Sequence, residues 1–342
     1  MNKAQSSAIK ILYIGDVFPF FTTTFEHQLY LFLKGFYKNN IRVLPSYNIK
    51  YLGSLFKLLR SCDLVILNYE YVKFNLFPFS TFLIDFLILY FKNLSKKVIM
   101  FFHGPSIYRI TDVCRTYHLH RLNIISLLYI YINTRIVEKL ISKICDIIVV
   151  FTPHDKRKLN RAFLLPHGIP YVKPIVRHCV PPSKNSKRII YYGSVTPRKP
   201  LHLFINYIIF FLKHSWEIYI LSTLNRRHKH YLSKIIRKIP PQLYEKIKYI
   251  SLPVGNLEIR EKYLSDAIVL IPHCLDITPV YTFFEALAFT RKIMILKLDF
   301  CDSEYINFLL NFLIKGLTFS IRDLARIIYL LTSKLILPQS KY

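Results

Sequence analysis

The stretch DITPVYTFFEALAF (276–289) places one carboxylate, Glu285, in an otherwise apolar helical pattern. Thr278 is a favourable N-terminal cap and Pro279 suits the first helical position, so the sequence predicts a helix that begins near residue 279. The free amides at its start would be those of Val280, Tyr281 and Thr282. Because a helix N-terminus attracts anions, phosphate above all, these amides could bind a phosphate group.

Glu285 would lie in the second turn of this helix, near its N-terminus. A carboxylate in that position can accept hydrogen bonds from ribose hydroxyls, as an acidic residue does in dinucleotide sites. It can equally be a surface residue that favours the positive end of a helix. Helix chemistry alone leaves both interpretations open.

Two other stretches combine the end of a strand with polar side chains. In FFHGPS, His103 follows a strand, and the turn after it would expose the imidazole, although a lone histidine is more often structural. In YYGSVTPRKPL, Gly193 ends a strand and Arg198 and Lys199 precede a helix, which is a plausible diphosphate clamp or a solvated basic loop. The turn LLPHGIP is expected to carry an exposed, structural His167.

The composition indicates a folded, basic protein with two domains. The chain has 342 residues, of which 52% are hydrophobic, and its formal net charge is +28. The basic residues are spread evenly, which argues against a dedicated nucleic-acid site but favours anionic partners such as phosphates or lipid headgroups. No secretory signal precedes the first predicted strand, so we expect a cytoplasmic protein.

The longest apolar run, residues 76–91, predicts a buried or interfacial helix and not a membrane span. It contains Asp85 and is shorter than the roughly 20 residues that a span needs. Lys92, Lys96 and Lys97 follow it, so its apolar face could rest on the anionic inner face of a membrane. A core helix whose lysines suit its C-terminus is the favoured alternative.

Apolar strands alternate with helical patterns along most of the chain, which predicts parallel sheets covered on both faces. The alternation breaks in the proline-rich stretch 170–187 and then restarts, so two doubly wound α/β domains should face a cleft. The predicted units are an N-terminal acceptor-binding domain (1–175), a linker (176–187), a C-terminal nucleotide-sugar domain (188–320), and a helix and tail (321–342) that could pack back on the first domain.

The order of these stretches over roughly residues 9–300 resembles a retaining GT-B glycosyltransferase of the glycogen-synthase-like group, glycosyltransferase family 4. The matching stretches are IGDVFPFFTTTFEHQLYLFLKGF, FFHG, LLPHGIP, YYGSVTPRKPL and SDAIVLIPHCLDITPVYTFFEALAFTRKIMI. The resemblance implies the GT-B fold, in which two Rossmann-like domains face a cleft that binds a nucleotide sugar.

The resemblance also implies roles for individual residues. Glu285 matches the glutamate that binds the ribose, and His103 matches the histidine near the transferred sugar. Lys199 has the spacing from Gly193 of the lysine that neutralises the donor diphosphate, and the amides of residues 280–282 match those that hold the distal phosphate. A cation and aimed N–H groups stabilise the leaving diphosphate without a metal or other cofactor.

Several positions depart from the family pattern. Ser194 stands where the family has an arginine, for which Arg198 could substitute. The first motif glutamate would fall on Ile277, and Asp276 is one residue out of register. The usual glycine pair of the first loop aligns with two residues whose side chains could crowd a diphosphate, Thr23 and Thr24. We therefore expect altered donor geometry.

The sequence thus predicts transfer of a sugar from a nucleotide-diphosphate sugar to a sugar, glycolipid or protein acceptor, with retention. A catalytically inactive protein of the same fold that binds anionic partners, a membrane surface or nucleic acid, is the alternative. A GT-B epimerase or phosphorylase would share the same cleft.

Overall fold

The structure is a computed structural model. It describes residues 9–17, 25–46, 49–69, 79–103, 124–159, 161–169, 187–193, 195, 201–222, 226–251, 257–265, 267–273, 281–290, 292–297, 307–309, 311 and 319–336.

The described strands form two parallel sheets, which confirms the predicted α/β class. The first has the order β2-β1-β3-β4-β5-β6, and its strands are β1 (Ile11–Gly15), β2 (Ile41–Pro45), β3 (Leu64–Tyr69), β4 (Lys97–Phe102), β5 (Ile147–Val150) and β6 (Phe163–Leu164). The second has the order β11-β10-β7-β8-β9, and its strands are β7 (Arg188–Tyr192), β8 (Glu217–Ser222), β9 (Ile247–Ser251), β10 (Ile268–His273) and β11 (Ile293–Lys297).

Helices lie between the strands, as the alternation predicts. Those of the first unit are α1 (Phe25–Tyr37), α2 (Leu55–Leu59), α3 (Ser80–Asn93), α4 (Ile124–Ile132), α5 (Glu138–Ile144) and α6 (Pro153–Lys158). Those of the second unit, which contains the second sheet, are α7 (Ile205–Lys213), α8 (Arg226–Ile236), α9 (Leu257–Leu264) and α10 (Tyr281–Leu287), and α11 (Ile321–Ile336) follows them. A π-helical turn, Asn133–Val137, joins α4 to α5 without a break. In the described part of the chain, no helix combines the length and apolarity that crossing a bilayer requires.

Each sheet reverses its strand order at one point, and these two points define where ligands are expected. In the first sheet, β1 lies between β2 and β3. In the second, β7 lies between β8 and β10. In open α/β sheets a ligand binds outside the carboxyl ends of the strands at such a reversal. Ligand-binding residues are therefore expected at the ends of β1, β3, β7 and β10.

The last described helix, α11, packs on the first sheet although it follows the second sheet in sequence. Its apolar residues Ile321, Leu324 and Ile328 share a buried cluster with β1 and α1. Two backbone hydrogen bonds hold the start of α11 beside Ile169. Ile169 N donates to Phe319 O (2.8 Å), and Ile321 N donates to Ile169 O (3.1 Å).

A buried polar cluster links α3 to the π-helical turn beneath the opposite face of the first sheet. Asn133 Nδ2 donates to Thr81 Oγ1 (2.9 Å) and Asp85 Oδ2 (3.2 Å), and Tyr69 donates to Asn133 Oδ1 (3.0 Å). Burial is the main cause that raises the pKa of Asp85 to about 8, and the Glu138 carboxylate raises it further. A protonated carboxyl is the form that an apolar site favours.

Replacing this carboxyl should change how stability depends on pH. Folded Asp85 keeps its proton up to about pH 8, whereas the ordinary pKa of an aspartate is 3.8, so the folded state binds more protons between these values. Stability then falls as pH rises through that window. Asp85→Asn should flatten this fall and raise stability near pH 9, by on the order of 5 kcal/mol at most. Urea unfolding near pH 5 and near pH 9 measures the effect.

Asp146 offers a matched control, for which the expected change of stability with pH has the opposite sign. Burial raises the pKa of Asp146, but hydrogen bonds from Lys92 and from Val98 N outweigh burial and hold the pKa below its ordinary value. Asp146→Asn should therefore lower stability at neutral pH and lose that effect in acid. Equal pH profiles for wild type and Asp85→Asn would contradict the assignment.

Candidate active site

The described residues include four of the predicted site residues. They are His103, Tyr281, Thr282 and Glu285. The other predicted site residues lie outside the described residues: Thr23, Thr24, Ser194, Arg198, Lys199, Asp276, Thr278 and Val280. The geometry of the site is therefore built from the strand ends and from α10.

His103 lies directly after β4, at the carboxyl edge of the first sheet. Its backbone N donates to Tyr69 O (3.1 Å), which extends the pairing of β4 with β3. Its half-buried imidazole packs against Phe25 (5.2 Å between ring centroids), Phe151 (4.7 Å) and His167 (5.4 Å). An aromatic wall thus holds the ring at the strand end.

The buried amide of Asn68, at the end of β3, sets the orientation of His103. Asn68 Nδ2 lies 3.3 Å from the carbonyl oxygen of Ile14 and 3.3 Å from Tyr13 Oη. Because a carbonyl oxygen only accepts, the NH₂ group must face β1, and Oδ1 then faces His103 Nε2 at 3.1 Å. Nε2 therefore donates to Asn68 Oδ1, and this bond selects the tautomer with its proton on Nε2 when the imidazole is neutral.

Two carboxylates at the end of β1 complete this edge, and neither was expected from the sequence. Glu26, buried at the start of α1, accepts a hydrogen bond from Asp16 N through Oε2. Ser46 Oγ donates to Asp16 Oδ1 (2.8 Å). The strand end IGD was the available signal for Asp16, whereas Glu26 resembles an ordinary first-turn acid of an exposed helix.

Gly15 allows these groups to approach one another. A Cβ atom there would lie 2.7 Å from Asn68 Nδ2 and 2.8 Å from Glu26 Oε2. The expected strand end at residues 15 and 16 is thus a crowded junction of a carboxylate, an amide and an aromatic ring.

His167 is buried, so the prediction that it is exposed was wrong. Its ring stacks on Phe151 with centroids 3.9 Å apart and an angle of 22°. Burial first, and the nearby His103 second, hold the pKa of His167 well below its ordinary value. The turn points inward because Ile169 pairs with Ser320, which draws the segment onto the base of α11. His167 also lies 6.1 Å from the Phe284 ring and so connects the first sheet to α10.

Glu285 lies in α10 and is held by two residues of the second unit. Tyr192, at the end of β7, donates to Glu285 Oε2 (3.1 Å), and Arg260 of α9 places its NH2 atom 3.9 Å from Oε1. Arg260 Nε also donates to Tyr192 Oη (2.9 Å). Burial, and next the charge of Glu285, hold the pKa of Tyr192 well above its ordinary value, so its hydroxyl keeps the proton that it donates.

A sequence signal marks Tyr192 as a candidate site residue, but none marks Arg260. Tyr192 precedes Gly193 at a predicted strand end, which is where site residues of such folds lie. Arg260 carried no signal, because it is one of 48 basic residues in the chain. Its buried charge compensates Glu285, whose side chain is only 12% exposed. Glu285 is therefore a fixed, charge-balanced acceptor.

The two-sheet architecture is similar to two solved structures. HepE from Anabaena in complex with UDP shares 9% identity, with 94% of each chain covered and a TM-score of 0.50. The catalytic domain of starch synthase IV from Arabidopsis thaliana, bound to ADP and acarbose, shares 9% identity over 85% of this chain and 83% of that chain, with a TM-score of 0.51. The fold is GT-B.

The GT-B fold confirms what the resemblance implies about architecture, while family 4 membership and retention stay predictions. UDP-GlcNAc 2-epimerase from Neisseria meningitidis, bound to UDP-GlcNAc, aligns with 12% identity over 95% of this chain and all of that chain, with a TM-score of 0.46. No protein-family model matches the sequence, and no curated protein sequence matches it either.

A methyl group at Gly15 should destabilise the GT-B chain. Gly15→Ala places Cβ within 2.8 Å of three side-chain atoms, so strands or side chains must shift. We expect a loss of about 1–3 kcal/mol in the free energy of unfolding, measured by urea denaturation.

Gly35 is the matched control, because it lies in α1 and a Cβ atom there would meet only open space. Gly35→Ala should be neutral or stabilise by about 0.5–1 kcal/mol, since alanine favours helices. If both substitutions had the same effect, the crowding at Gly15 would have no energetic consequence.

Asn68 should determine the tautomer of His103. In the wild type, ¹⁵N chemical shifts should show neutral His103 with its proton on Nε2. Asn68→Leu removes the acceptor at 3.1 Å and should abolish that preference. Asn39→Leu, at an exposed position before β2, is the control and should leave the His103 shifts unchanged. A wild-type imidazole with its proton on Nδ1 would contradict the assignment.

Proposed function

We propose that this protein transfers a sugar from a nucleoside-diphosphate sugar to a sugar, glycolipid or protein acceptor. The observation that carries the proposal is an aromatic contact that links the polar edge of the first sheet to α10. The edge that holds His103 and Asn68 contacts α10, the helix of Glu285, through the 6.1 Å approach of His167 and Phe284. Asn68 ends β3 and Tyr192 ends β7, which are strands at the two strand-order reversals, where ligands of such sheets bind.

The nucleotide is proposed to bind on the Glu285 side. Tyr192 and Arg260 fix this carboxylate, and a carboxylate can accept hydrogen bonds from ribose hydroxyls. The diphosphate is proposed to contact the residues that follow β7 and precede α10. By resemblance these are Lys199, Arg198, Ser194, Asp276, Thr278 and the amide of Val280, together with the amides of Tyr281 and Thr282 in the first turn of α10. The resemblance adds Thr23 and Thr24 of the first loop.

The transferred sugar is proposed to lie beside His103. Asn68 holds the imidazole in one orientation, and the neutral His167 behind it adds no competing charge. Lys199 and Arg198 would supply the positive charge that the leaving diphosphate needs, so the proposal requires no metal. Retention of configuration at the sugar is part of the proposal and follows the resemblance.

A thermal-shift panel of nucleoside diphosphates and their sugars tests donor binding. At least one should raise the melting temperature, because a ligand that binds only the folded state stabilises it by mass action. Glu285→Gln and Lys199→Met should weaken that nucleotide-induced shift and slow transfer by roughly 100-fold each. The nucleotide-induced shift is compared between variants, and not the melting temperature without nucleotide. The reason is that Glu285→Gln also leaves the buried Arg260 unbalanced and lowers stability by itself.

Glu217→Gln and Lys213→Met are matched controls, since both residues are far from the strand ends in question: Glu217 begins β8 and exposed Lys213 ends α7. They should leave the shift and the rate unchanged. Turnover that survives both site substitutions would exclude this site, and turnover without an acceptor would indicate an epimerase. No shift with any nucleotide would favour an inactive binding protein.

A further inference from the structure

Two neighbouring helical segments of the first unit expose large apolar side chains on one side of the molecule. We call these eight residues the apolar face: Phe82, Phe86 and Leu89 of α3, and Ile125, Leu128, Ile132, Ile136 and Leu140 of the continuous helix from α4 to α5. Each is 42–69% exposed. Their spacing of three or four residues places each set along one side of its helix.

The two stripes belong to one surface, because the helices pack side by side. Thr81 Oγ1 of α3 lies 2.7 Å from Tyr129 Oη of α4, and the Phe79 and Tyr129 rings are 5.1 Å apart. The buried amide of Asn133 ties the π-helical turn to α3 through Thr81 and Asp85. Single exposed apolar residues are ordinary, but a contiguous set of this size marks an interaction surface.

The exposed charges on the two described helical segments have one sign. Arg135, Lys139 and Lys143 recur every four residues on the same helix, and all three are exposed. Residues 80–93 and 124–144 hold only two acidic residues, and both are buried: Asp85 lies in the polar cluster and Glu138 pairs with Lys158. The surface therefore combines apolar side chains with exposed cations.

We propose that the apolar face docks on an anionic lipid bilayer, with α3 and the α4–α5 helix lying in the plane of the headgroups. The aromatic and aliphatic side chains enter the boundary with the acyl chains, while the row of three cations contacts acidic headgroups. A second copy of the chain fits less well, because a twofold interface would bring the same cations from both copies together. This inference does not depend on the transferase proposal.

Co-sedimentation with vesicles tests the proposal on the full chain. Phosphatidylcholine vesicles that contain phosphatidylglycerol should bind the protein, and neutral vesicles or high salt should release most of it. The variant Arg135→Gln, Lys139→Gln, Lys143→Gln should lose on the order of 100-fold in affinity for acidic vesicles. Ile132→Ser with Ile136→Ser should weaken binding at both low and high salt, because it removes the apolar contribution.

Tyr207→Ser with Phe210→Ser is the matched control. These residues are 56% and 54% exposed on α7 of the second unit, outside the apolar face. The control should bind vesicles like the wild type, and every variant should keep the wild-type melting temperature. Equal binding to neutral and acidic vesicles would overturn the charge argument. Absence of vesicle binding would contradict the proposal that a lipid bilayer covers the apolar face. A dimer in solution that only the Ile132 and Ile136 variant disrupts would contradict it too.

Discussion

The exchange of backbone hydrogen bonds between Ile169 and the start of α11 is the constraint on which the candidate site depends. Gly168 precedes it with φ +81°, and a Cβ there would lie 2.7 Å from Ile321 N, so a side chain would prevent the approach. The pairing turns His167 inward onto Phe151 and brings it to Phe284. One close backbone contact thereby places His167 between the first sheet and α10.

The sequence predicted the α/β class, the two sheets and the strand ends well, because parallel strands buried on both faces are continuous apolar runs such as ILYIG and KVIMFF. The glutamate of α10 was also visible, since a lone carboxylate in an apolar helix is conspicuous. The two-residue strand β6 was missed, because FL in FLLPHGIP is too short to show a period of two.

Contacts between distant residues could not be predicted in the same way. Arg260 of α9 balances Glu285 of α10, and Asn68 orients His103 from the neighbouring strand, yet nothing local in either stretch marks the partner. The burial of His167 depends on the pairing of Ile169 with Ser320, which lies in a distant part of the chain. The topology brings such partners together. A single sequence specifies the topology through side-chain packing, and hydrophobic periodicity does not show that packing.

The position of α11 affects the order in which the chain can fold during synthesis. The face of the first sheet that carries Tyr13, Ile66 and Phe101 is covered partly by α1 and partly by α11, the last described helix. Domains generally fold as units from the N-terminus as the chain emerges. Here the side of the first sheet that α11 covers stays partly open to water until the whole second sheet and residues 321–336 have left the ribosome.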